Sequence, residues 1–189
     1  MTRAILLTLA LACVPAVAAG QHGHGHQQGH GADRAYREQH AAGARGLSAK
    51  ELEDLREGRG MGLARAAELN GYPGPRHVLD AAADGSLPLT PEQGARVQRV
   101  FDAMQGEARR VGARLIAEEE ALEAAFRLGT MTESELADRT RRLAALQGEL
   151  RAVHLRAHLA TRAVLTDAQV QRYNEIRGYA GPAGPSPRH

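Results

Sequence analysis

"LTPEQGARVQRVFDAMQGEARRVGARLIAEEEALEAAFRL", Leu89 to Leu128, decides the fold. Val97, Phe101, Met104, Ala108, Val111, Leu115, Leu122 and Ala125 step by alternating fours and threes, with Glu118 as the polar interruption. That is the seam of a helix packed lengthwise on another helix. The start is well marked. Thr90 is an N-cap residue whose hydroxyl accepts a first-turn N–H, Gln93 reaches back to the cap's own N–H, and Pro91 stands where a missing N–H costs nothing. Pro91 to about Leu128 is therefore predicted as one helix of roughly 55 Å, at 1.5 Å per residue.

"LGTMTESE" interrupts the pattern, with Gly129 as a stop and Thr132 to Glu135 as a new capping box. A second long helix to about Val164 follows, with the seam Leu136, Leu143, Leu146, Leu150, Val153, Ala157, Ala160 and Val164. A short connection between two long seams predicts an antiparallel hairpin. Next comes "LTDAQ", Leu165 to Gln169, which repeats the first box through Thr166 and Gln169 and starts a final helix through Tyr173 and Ile176. Upstream, "SAKELEDLREGRGMGLARAAELNGYPG" opens on a box of Ser48 and Glu51. Leu52, Leu55, Met61, Leu63 and Leu69 are expected to share an apolar side, while Gly58, Gly60 and Gly62 permit a kink or close backbone approach. Asn70-Gly71 before Pro73 is a stop, and a short helix is expected over Pro75 to Ala83. The expected fold class is all-α: a long antiparallel helical hairpin with shorter N- and C-terminal helices. Leu155 and Leu159 lie opposite the seam, so a second apolar face needs cover, from the N-terminal helices and from a second copy in a homodimer.

Composition agrees. Trp is absent, Lys50 is the single lysine, and 24 basic residues nearly balance 22 acidic ones. Arg next to Glu along helices reads as an ion-paired surface, and no nucleic-acid partner is expected. Residues 1–19 read as a secretory signal peptide, with one early positive charge, an apolar run and small residues at Ala16, Ala18 and Ala19. A lipobox reading of "ALAC" ends at Cys13 but has Ala10 where Leu is usual, so ordinary cleavage and an exported, periplasmic product are expected. Cys13 is the only cysteine, which leaves the mature chain no disulfide and no thiolate metal site. Residues 20–47, rich in Gly, Gln and His, are expected to be disordered. The helical domain is expected over 48–178, with a flexible tail over 179–189.

The signal peptide, the helical hairpin and the paired LTxxQ motifs at Leu89–Gln93 and Leu165–Gln169 resemble the Spy/CpxP family of bacterial periplasmic proteins, together with the related zinc-responsive and cobalt/nickel-sensing proteins. The resemblance spans Leu89 to Tyr179. It implies an all-α fold, often dimeric, and non-enzymatic work: ATP-independent chaperoning of unfolded clients, inhibition of a membrane sensor kinase, or metal sensing.

Histidines carry what chemistry is legible. His154 and His158, four apart on a helix, can share one metal ion. This spacing also supplies ligands in the metal-sensing relatives. Both are expected to flank the seam at the border between core and solvent, and antiparallel pairing is expected to bring Glu107 near His154 as a third ligand. His22, His24, His26 and His30 form a histidine-rich tract suited to Cu(II), Ni(II) or Zn(II), buffering more than selecting. His77 reads as a surface or capping residue, and Glu118 to Glu120 with Glu123 as a solvated acidic face pairing Arg127 or Arg139. No nucleophile–base arrangement or phosphate loop is legible, so no enzyme is expected. The functional expectation is an envelope-stress or heavy-metal-response protein binding Zn, Cu or Ni; the alternative is a chaperone or sensor-kinase adaptor with no physiological metal site.

Overall fold

The computed structural model describes residues 46–179. The expected signal peptide over 1–19, nearly all of the 20–47 segment including His22, His24, His26 and His30, and the residues beyond Tyr179 lie outside the described residues. Within them the chain is all-helical: α1 (Ala49–Glu57), α2 (Arg65–Glu68), α3 (Pro75–Ala83), α4 (Pro91–Arg127), α5 (Glu133–Arg162) and α6 (Asp167–Ile176). No described helix is long and apolar enough to cross a membrane.

The caps explain the boundaries. Ser48, Thr90 and Thr166 each accept from the N–H three residues on, and Glu51, Gln93 and Gln169 return the bond to the cap N–H. The expected box at Thr132 forms only by half: Thr132 accepts from Glu135 N, but the Glu135 carboxylate is taken by Arg139 at 2.8 Å. A charged guanidinium one turn on competes better for that carboxylate than a neutral backbone N–H.

The long helices α4 and α5 pack along their length. Gln93 reaches the Val164 carbonyl, Arg114 meets Glu149 at 3.0 Å, and Glu118 meets Arg139 and Arg142 at 3.1 Å, so partner numbers fall as α4 rises. Glu118, the one polar residue in the seam, is thus satisfied by two arginines of α5. The remaining seam is largely buried, in Val97, Ala108, Val111, Leu115 and Ala125 on one helix and Leu143, Leu146, Leu150, Val153 and Ala157 on the other.

Two cores form around this pair. In one, Leu52 and Leu55 of α1 join Ala108, Val111, Leu115, Ile116, Leu146, Leu150 and Val153. Backbones approach closely there: a Cβ on Gly112 would stand 2.5 Å from the Leu55 carbonyl oxygen, and one on Gly58 2.9 Å from that of Gln105. Gly58 ends α1 in the left-handed conformation at φ 67°, so the glycine run produces both the break and the close approach. The shared apolar side expected for residues 52–69 is cut short here: the break turns Met61 and Leu69 outward, leaving them 39% and 56% exposed. In the second core, Val78, Ala81 and Leu87 pack with Val97, Leu165, Val170 and Tyr173. Tyr179, placed in the tail by composition, packs against this core and donates its N–H to Asn174 O at 2.8 Å.

Candidate functional site

Where the glycine turn, α2 and α3 lie over the pair of long helices, they leave a cavity of about 610 Å³. Gly58 to Gly62, Glu68, Gly74 and His77 line one side, and Met104, His154 and His158 the other. His154 and His158 do not sit at a solvent border. They are 3% and 9% exposed, because the segment from Ser48 to Pro75, whose place the helical periodicity left open, roofs them.

The two imidazoles differ. His158 Nδ1 lies 2.7 Å from the Tyr72 carbonyl oxygen, a bond in which the ring must donate. That places the His158 proton on Nδ1 and leaves Nε2 as a lone-pair donor, the arrangement common in metal-ligating histidines. Gly74 backs the ring: a Cβ there would come 3.1 Å from His158 Nε2. His154 Nε2, by contrast, is buried without any hydrogen-bond partner, one of two such side-chain atoms among the described residues, the other being Asn174 Oδ1. An orphaned buried ring nitrogen costs about 1–3 kcal/mol and calls for a missing partner. Burial, and secondarily the neighbouring His158, holds His154 below its ordinary pKa, so the ring is neutral and its lone pair available.

Glu68 is the carboxylate beside them, and sequence reading missed it. Its Oε1 accepts from the Tyr173 hydroxyl, with His77 Nδ1 at 3.4 Å and Arg177 Nε at 3.6 Å. Its Oε2 accepts from Gly74 N at 3.1 Å and lies 3.6 Å from His158 Nδ1. Desolvation pushes its pKa up, but the bonds from His77 and Tyr173 and the charges of His77 and His158 outweigh it and bring the value down to about 2. Burial, and secondarily the same contact, drives the Tyr173 hydroxyl well above its ordinary range. Glu68 thus ties α2, α3, α5 and α6 together, and its oxygens are spoken for. His77, expected at the surface, is exposed but belongs to this knot. A lone Glu in "ARAAELNG" carries no sign of such a role.

Glu107 is not at the cavity. It pairs with Arg110 and lines a shallow groove with Val153, Arg156 and Ala157, so the expected third ligand is not beside His154. Met104, one turn earlier, lines the cavity instead. Among the described residues no three or more of His, Cys, Asp and Glu are grouped to hold a metal ion. The fit to a metal is therefore specific but partial: two imidazoles, one oriented by a carbonyl and one orphaned, with the nearest carboxylate already engaged.

Against protein-family models, curated proteins and solved structures, the chain has no match.

Proposed function

We propose that this chain is a non-enzymatic, exported metal-stress protein of Spy/CpxP type that takes up a transition-metal ion through His154 and His158. What carries the reading is that His154, whose buried Nε2 has no hydrogen-bond partner, lines one cavity with the oriented imidazole of His158. In this reading α4 and α5 form the family's antiparallel hairpin and the chain works as a homodimer. The histidines at 22, 24, 26 and 30 collect Zn, Cu or Ni ions, and occupancy of the cavity is relayed to a membrane sensor protein. The bound ion supplies no catalysis: it gives His154 a partner and joins two imidazoles one turn apart on α5.

Isothermal titration with Zn(II), Ni(II) and Cu(II) tests it, using the full mature chain with His22, His24, His26 and His30 changed to Ala. One ion per chain, lost in His154→Ala/His158→Ala at unchanged helicity, is expected. Equal binding by both proteins removes the site.

A second reading rests on the tip of the long pair, where Phe126 and Leu128 are 57% and 70% exposed. An apolar tip of this kind suits transient capture of unfolded clients without ATP. Suppression of client aggregation at near-stoichiometric ratio, lost in Phe126→Ser/Leu128→Ser, is the expected sign. Aggregation at the same rate with and without the protein overturns it.

A further inference from the structure

The cavity that holds His154 and His158 is also lined by two thioethers, Met61 and Met104, of the four methionines in the chain. Met61 has no packing role that accounts for its place, and Met104 serves the core and the cavity at once. Met61 is 39% exposed at the cavity rim and is the one non-glycine residue among those described with a positive φ, at 45°. An unbranched side chain held in that region, between Gly60 and Gly62, is a local constraint of the kind that clusters at binding sites. Met104 is half-buried on α4, packs against the first core, and lines the cavity on the same side as the histidines.

Charge decides which ion such a site takes. Every candidate donor is neutral: two thioethers and two imidazoles. Glu68 is ionised, but its oxygens are held by Tyr173, His77 and Gly74, so it is not free to ligate an ion. The lining also carries Arg59, Arg65, Arg76 and Arg177. Arg59 is neutralised by Asp54 and Glu53, and Arg76 by Asp80, but the balance around the cavity stays positive. A divalent ion with hard or borderline preferences finds no free carboxylate oxygen here to ligate it. A monovalent soft ion needs none, and thioether sulfur is the donor it prefers.

We propose that Met61, Met104, His154 and His158 form a soft-metal site that takes Cu(I) or Ag(I). Met61 closes over the ion from the glycine turn, Met104 supplies the second sulfur from α4, and His154 gains the partner its ring nitrogen lacks. The inference rests on the histidine reading above and narrows its ion.

Anaerobic competition for Cu(I) against bicinchoninate, and for Ag(I) by displacement of that Cu(I), tests it on the full mature chain with the four lead histidines changed to Ala. One Cu(I) per chain is expected. Met61→Leu and Met104→Leu, each volume-conserving, are expected to weaken Cu(I) at least tenfold. They leave any Zn(II) or Ni(II) binding through the histidines unchanged. X-ray absorption at the copper edge is expected to show a sulfur shell that disappears in the double Leu variant. Cu(I) held as tightly by the double Leu variant as by the parent, or no Cu(I) taken from the competitor, overturns the soft site. The histidine reading survives either result if divalent binding still depends on His154 and His158. Undiminished Cu(I) in His154→Ala/His158→Ala overturns the soft site as well. Met61→Leu alone is exposed and cannot unfold a core, so it decides the matter if Met104→Leu perturbs folding.

Discussion

Gln93 and Gln169, 76 positions apart, donate to each other: Gln93 Nε2 to Gln169 Oε1 at 2.9 Å and Gln169 Nε2 to Gln93 Oε1 at 3.0 Å. Each Oε1 also accepts from its own cap, Thr90 N and Thr166 N at 3.0 Å. Each Nε2 also reaches a backbone carbonyl of the other region, Val164 O and Pro88 O at 3.0 Å. The two LTxxQ capping boxes are therefore one structure. Each starts its own helix, and together they clamp the start of α4 to the start of α6.

A double-mutant cycle on Gln93→Ala and Gln169→Ala tests the clamp. Each single change strands part-buried donors and acceptors and is expected to cost about 1–3 kcal/mol. The pair is expected to cost less than the sum by about 0.5–3 kcal/mol. Strict additivity in urea unfolding means two independent caps. Thr90→Ala or Thr166→Ala is expected to cost about 1 kcal/mol through the cap alone.

Glycine substitutions separate contact from propensity. Gly112→Ala places a Cβ 2.5 Å from a backbone oxygen of α1, which cannot move as a side chain can, so α1 is pushed off and the urea midpoint falls. Gly106→Ala and Gly148→Ala, in the same two long helices but with nothing within 4 Å, are expected to raise stability by about 0.5–1 kcal/mol. A gain at Gly112 contradicts the close approach.

The Glu68 knot predicts acid sensitivity. Its folded pKa of about 2 lies below the ordinary 4.5. A group depressed in this way stabilises the fold above the unfolded value and loses that contribution as pH falls from about 4.5 toward 2. For this largely buried carboxylate the contribution is on the order of 3 kcal/mol. Glu68→Gln is expected to lower stability at pH 7 and to flatten the stability–pH curve of the metal-free protein across that window. Parallel curves for parent and variant, from chemical denaturation at each pH, remove the knot.

Gly74→Ala is expected to press on the His158 ring, since its Cβ would stand 3.0 Å from Cε1 and 3.4 Å from Glu68 Oε2. Metal affinity through His158 is expected to fall tenfold or more while far-UV circular dichroism stays helical. Titration with unaltered affinity means the ring has room to give.

Helix periodicity and capping chemistry were enough, read along the chain, to place the long helices, three complete capping boxes and the Pro75–Ala83 helix, because a helix start is local: an oxygen at the cap and a partner three residues on. They also placed His154 and His158 on one face, since four residues make nearly one turn. Tertiary structure decided the rest. That the Thr132 box yields its glutamate to Arg139, that Glu107 turns away while Met104 turns in, and that Glu68 gathers Tyr173 and His77 all depend on the rotation of each helix about its own axis and on the path of the chain from Ser48 to Pro75. Neither is encoded in any local spacing. That path is set by glycines at 58 and 112, whose missing side chains let α1 reach the long pair and roof the histidines.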